Sequence, residues 1–219
     1  MRPNPSFKRT ATPPLNSSVR LLVMISHLLK RLAEWEHLGT KEVETGSRLV
    51  ALTPRDFPQA YLHSFFAPAP GSAWPAYGPG LTGQLRDLYS SCNGLCLFSG
   101  SLSLWGLRSQ YVRDLCAQFQ PFDLATHHSE CIRVFHRLPD HQEDDRVFFG
   151  GYSEDGSAVF TQPTSLEIYR VQRHSHQFTN RWPDLPSFLR SEYDRLDMLF
   201  TRSGYLADES ASTLPQHVA

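Results

Sequence analysis

The sequence predicts an α+β fold: a single domain with a mainly antiparallel mixed sheet flanked by helices. Three observations carry that prediction. Residues 21–38 and 184–199 place apolar groups at three- and four-residue steps, so a helix sits near each end. Short apolar runs, several alternating with period two, are grouped between residues 95 and 171. Asn93-Gly94 and Asp155-Gly156 punctuate them with turn signals. The 219 residues, 40% hydrophobic and 12% aromatic, suit one core of ordinary size.

Residues 1–20 are rich in Pro, Ser and Thr and too poor in apolar groups to order themselves, so they read as a disordered basic tail. Prolines 3, 5, 13 and 14 oppose the amphipathic helix of a transit peptide. The apolar run that follows is broken by Ser26 and His27. Lys30-Arg31 stands where a signal peptide would carry small cleavage-site residues. Met24 offers an alternative start, which would leave residues 1–23 outside the native protein; its mass decides the point.

The expected domain spans residues 21–200. Leu21, Leu22, Ile25, Leu28, Leu29, Leu32 and Trp35 form the stripe of the first helix, which Gly39 ends. Residues 48–53 suit a strand. The proline-rich stretch 54–79 reads as a loop whose aromatics pack against the body. Leu81, Leu85, Leu88 and Tyr89 share one face of a second helix, and Asn93-Gly94 stops it. A strand over 95–98 follows. In the next, Leu102 and Leu104 alternate with Ser103 and Trp105. A helix is predicted over 109–119 and strands over 131–138, 147–152, 157–161 and 166–171. Asp184 and Pro186 start the last helix, with Leu185, Phe188, Leu189, Tyr193, Leu196 and Leu199 inward and Arg190, Glu192, Asp194, Arg195 and Asp197 outward. Residues 201–219 lose the pattern and read as an irregular C-terminal tail that wanders or frays.

Charge and cysteine content narrow the function classes. Four of the 21 basic groups lie in residues 1–20 without an acid; the remaining 17 face 22 acidic groups, a net of −5. A mildly acidic body opposes nucleic-acid binding, which needs a basic footprint. No run of 18 apolar residues suggests a membrane span. Four cysteines do not make a disulfide scaffold, so a reducing, cytoplasmic location is expected.

Few residues point to chemistry. Cys92 and Cys96 have zinc-pair spacing, but Cys116 and Cys131 are too far apart to supply the second pair beside His127 and His128. His174, His176 and His136 invite a hydrolase reading, yet no Gly-x-Ser-x-Gly elbow or His-Glu-x-x-His helix accompanies them. Gly150-Gly151 lacks the phosphate-loop pattern and marks a bulge or a close backbone approach. Trp105 and Trp182 read as packing residues. No cofactor, metal or catalytic residue is expected.

Leu85 to Tyr89 leading into Asn93-Gly94, then Leu104-Trp105-Gly106, Phe149-Gly150-Gly151-Tyr152 with Asp155-Gly156, Ile168 to Val171, and a closing segment over 182–199 occur in a telling order. In that order and spacing the chain resembles the SUKH superfamily, which includes fungal cell-wall synthesis regulators and bacterial toxin-immunity proteins. The resemblance covers residues 81–200, with Leu88, Asn93, Gly94, Gly106, Gly150, Asp155, Gly156 and Trp182 as its structural positions. It implies a mixed sheet flanked by helices and a non-enzymatic protein-binding role, in bacteria the neutralisation of a co-encoded toxin. It transfers no catalytic residue. The alternatives are a regulatory scaffold for a housekeeping protein and a metal- or histidine-dependent enzyme. On this reading Asp140, Glu143, Asp144 and Asp145 are either a solvated loop or the contact for a basic toxin groove.

Overall fold

The computed structural model describes residues 17–54, 60–69, 81–108, 120–135, 146–173 and 177–216. Among these, nine strands form one sheet in chain order. They are β1 (Thr40–Glu42), β2 (Arg48–Leu52), β3 (Tyr61–Phe65), β4 (Leu95–Leu97), β5 (Leu102–Leu104), β6 (Val147–Gly151), β7 (Ala158–Thr161), β8 (Ile168–Val171) and β9 (Phe178–Trp182). The described helices are α1 (Ser17–Ala33), α2 (Gly83–Ser91), α3 (Leu124–Val134) and α4 (Leu185–Leu199). The fold is α+β, as the sequence predicts. Every neighbouring strand pair is antiparallel, and the parallel component shrinks to an isolated bridge between Gly106 and Asp123. No described helix is long and apolar enough to cross a membrane.

Adjacent residues of β6 show how the layers form. Phe148 stacks on Phe135 at the end of α3, with centroids 5.5 Å apart and planes at 18°. Phe149 meets Phe188 of α4 edge-on at 6.4 Å. Successive strand side chains point to opposite faces, so α3 covers one face and α4 the other. α1 lies beside α4, where Trp35 Nε1 donates to the Tyr193 hydroxyl at 3.2 Å and Arg31 pairs with Asp197 at 2.7 Å. Its inward stripe, Leu21, Met24, Ile25, Leu28 and Leu32, is buried. Each such side chain contributes about 1.5–3 kcal/mol relative to exposure.

Gln84 joins α2 to α4. Its Oε1 accepts the Leu185 N–H at 2.9 Å, and its Nε2 donates to the Leu166 carbonyl at 2.8 Å. The first turn of a helix leaves N–H groups without intrahelical partners, and this side chain satisfies one. At the other end of α2, Gly94 adopts φ 86°, the left-handed conformation expected of the stop. Asn93 then holds Leu107 through both its side-chain atoms.

Several elements differ from the sequence expectation. The strand predicted over 131–138 is the last turn of α3 and its C-cap Phe135 as far as the described residues reach. Asp123 caps that helix by accepting the Thr126 N–H at 3.0 Å. Polar His127 and His128 occupy the inward steps between Leu124 and Cys131, which hides the helical period. Inside the predicted loop 54–79, β3 pairs with both β2 and β4. Glu192, expected in water, is 1% exposed and paired with Arg195.

The described part of the C-terminal tail is irregular but held in place. Glu154 accepts hydrogen bonds from Ser212 and from the Thr213 amide and hydroxyl. Asn180 donates to the Gln216 carbonyl at 2.8 Å. The predicted helix over 109–119 lies outside the described residues.

Candidate functional site

A row of small residues opens a cleft in the α3-facing side of the sheet. Ser103 of β5 is in register with Gly151 of β6, which is in register with Ala158 of β7. These positions carry almost no side chain, so the sheet does not fill the space under α3. The cleft measures about 290 Å³. Trp105, Cys131, Val134 and Phe135 wall it, and Glu130 and Arg173 stand at its rim.

Each wall residue is positioned by a local contact. Trp105 follows Ser103 by two residues and points to the same face. It stacks on His127 with centroids 4.9 Å apart and planes at 27°. Phe122 meets His127 edge-on at 5.6 Å and leaves 46% of itself exposed at the lip. α3 is fixed over β6 by His128, whose Nδ1 accepts the Phe148 N–H at 3.2 Å.

Burial shifts the ionisable groups that line the cleft. Burial pushes the Cys131 thiol up to about 12, with Glu130 adding to the effect and Arg173 opposing it. Such a thiol carries almost no thiolate at neutral pH. Burial lowers the pKa of both His127 and His128. Among the described residues no hydrogen bond joins His127 to Cys131. Arg173 is exposed and makes no ion pair among the described residues.

No three metal-ligating side chains converge among the described residues. Cys92 closes α2 in the core and is pushed up to about 12 by burial. Cys96 receives the Ser103 hydroxyl at 3.5 Å. Cys116, His136, His174 and His176 lie outside the described residues, as do Asp140, Glu143, Asp144 and Asp145.

The eight motif positions shape the scaffold. Leu88 is fully buried, and Trp182 packs edge-on against Phe188 at 4.9 Å. A Cβ on Gly106 would meet the Asn93 carbonyl at 2.2 Å, so only glycine fits that crossing. Gly150 sits at the register shift that follows Phe148 in β6, the bulge expected there. Asp155 and Gly156 turn the β6–β7 connection, where Asp155 Oδ1 accepts the Ser157 N–H at 2.8 Å.

The cleft itself was missed in the sequence. Its signal was the unusually small residues Ser103, Gly151 and Ala158 inside otherwise bulky strands. No family model, curated protein or solved structure matches the chain.

Proposed function

We propose that the protein is a non-enzymatic binding module of the SUKH type: a cytoplasmic bacterial immunity protein that blocks a cognate toxin domain. The cleft between α3 and the sheet carries this reading. It pairs apolar walls and an exposed aromatic lip with a thiol that burial keeps protonated at neutral pH. A concave apolar site of this kind favours holding a partner group. The order of the SUKH-like motifs supports the same role. The acidic run Asp140, Glu143, Asp144 and Asp145 adds charge suited to a basic nuclease groove and would speed encounter.

Affinity capture from the native host, with co-eluting chains identified by mass spectrometry, tests the reading. One toxin-like chain at equal stoichiometry is expected, and co-expression should relieve that chain's toxicity. Capture of cell-wall or signalling proteins instead would replace immunity with a scaffolding role. Neutralising the four acidic residues together should slow association at low salt; an unchanged on-rate would remove them from the interface.

A further inference from the structure

We propose that the cleft seats one aromatic side chain of a protein partner, carried on a segment whose carboxylate meets Arg173. The inference rests on the binding reading above and names the chemistry of its anchor.

Size comes first. At about 290 Å³ the cleft lies just below the roughly 300–1,000 Å³ of small-molecule pockets. It has room for one large side chain and no room for a helix or strand. Shape comes next. The stacked Trp105–His127 pair and the edge of Phe122 present ring faces and edges, which planar groups pack against in offset or edge-on geometry. Aromatic anchors in such pockets carry much of the energy of protein interfaces.

The placement of polar groups favours a side chain over a free small molecule. Inside the cleft, the Ser103 hydroxyl donates to Cys96, and the Ser157 hydroxyl accepts from Arg170 Nε at 2.8 Å. These groups are already engaged. The charges stand at the rim, with Glu130 on α3 and Arg173 beyond β8, and no ion pair joins them among the described residues. A ligand recognised this way is apolar at its tip and polar where it leaves the cleft, as a side chain is where it meets its backbone. Arg173 calls for a carboxylate on its side of the mouth.

The full chain should be titrated with N-acetyl-L-tryptophan and with its amide, N-acetyl-L-tryptophanamide, and followed by amide and indole NMR shifts. Saturable shifts are expected at the Trp105 indole and at the Gly151 and Ser157 amides. The acid should bind about two- to fivefold tighter than the amide, the range of one exposed ion pair. Arg173→Gln, at an exposed site that does not threaten folding, should erase that difference. Cys131→Phe should fill the cleft and abolish binding by both probes.

Shifts that never saturate, or that fall away from the cleft, overturn the proposal. So does a co-purifying small molecule found in the cleft by native mass spectrometry, which would reassign it to a low-molecular-weight ligand. A captured toxin that binds folded Cys131→Phe as tightly as the parent would overturn the cleft and leave the immunity reading intact. Saturable probe binding without any captured toxin would do the opposite.

Discussion

Asn93 and Leu107 hold each other in both directions. The Leu107 N–H donates to Asn93 Oδ1 at 2.6 Å, and Asn93 Nδ2 donates to the Leu107 carbonyl at 2.8 Å. This amide side chain reads the backbone as a neighbouring strand would, and it locks the end of α2 to the exit of β5. Asn93→Ala leaves both Leu107 groups unpaired. Buried groups deprived of partners cost about 1–3 kcal/mol each, partly relieved where water enters. A loss of about 2–4 kcal/mol in urea unfolding is expected. Asn93→Asp keeps the acceptor but cannot donate, so it should also destabilise. A change within about 0.5 kcal/mol for Asn93→Ala would mean that the clamp does not hold the junction.

His63 should make stability depend on pH. It lies fully buried in β3 among Trp35, Phe98 and Tyr193, and its Nδ1 accepts the Phe98 N–H at 3.4 Å. Burial lowers its pKa from 6.5 to about 3. Tyr193, its titratable neighbour, is raised by burial and stays neutral throughout this window. Between those two values the unfolded chain binds a proton that the folded chain refuses. Stability therefore rises with pH across the window and falls on acidification from pH 6.5 towards 3. One such proton gives a slope of about 1.4 kcal/mol per pH unit. Carboxylates add their own dependence at the acidic end, so the comparison is with His63→Phe. Urea melts at stepped pH should show a shallower slope in that variant; equal slopes would contradict burial of the neutral imidazole.

Local signals made some of this fold legible. The stripe of α4 and its Asp184 cap can be read directly, and Asp184 Oδ1 accepts the Ser187 N–H at 2.8 Å. The Asp155-Gly156 turn is as plain, because its chemistry lies within four residues. α3 was hidden because histidines fill its inward positions, where hydropathy does not find them. β3 was hidden by flanking prolines and by a histidine whose burial only the tertiary environment explains. β1 and β9 are edge strands rich in polar residues, so alternation is faint. The cleft leaves only small residues as its trace in the sequence, because Ser103, Gly151 and Ala158 become neighbours through strand register.

The Cys131 thiol should be slow towards alkylating reagents. Its pKa of about 12, against an ordinary 9.0, lowers the thiolate fraction at neutral pH by about a thousandfold. A more basic thiolate is also the better nucleophile, which restores about 15- to 30-fold at a Brønsted slope of about 0.4–0.5. The net expectation is a rate about 30- to 60-fold below that of the unfolded chain. Peptide-resolved iodoacetamide kinetics measure it. A rate near or above the unfolded value would reveal an activated thiol and return the cleft to the enzyme reading.

The Asp155–Arg170 pair should govern the C-terminal segment as well as the hairpin. The Arg170 guanidinium is 5% exposed and meets Asp155 at 2.7 Å. It also donates to Asn180 Oδ1 and to the Pro215 carbonyl, and it lies 5.1 Å from the centre of the Tyr152 ring. Asp155→Asn keeps an oxygen for the Ser157 N–H, so the turn survives and only the charge is lost. A buried guanidinium left without its carboxylate costs about 3–5 kcal/mol in a dry site. Asp155 is partly solvated, at 16% side-chain exposure, so about 2–4 kcal/mol is expected. The loss should change little with added salt, because a shielded pair is poorly screened. Hydrogen exchange at Thr213 and Leu214 should quicken in the same variant, since Arg170 bridges the hairpin to Pro215. If exchange there stays at the parent rate while stability falls, the pair holds the hairpin alone and Glu154 is what retains the segment.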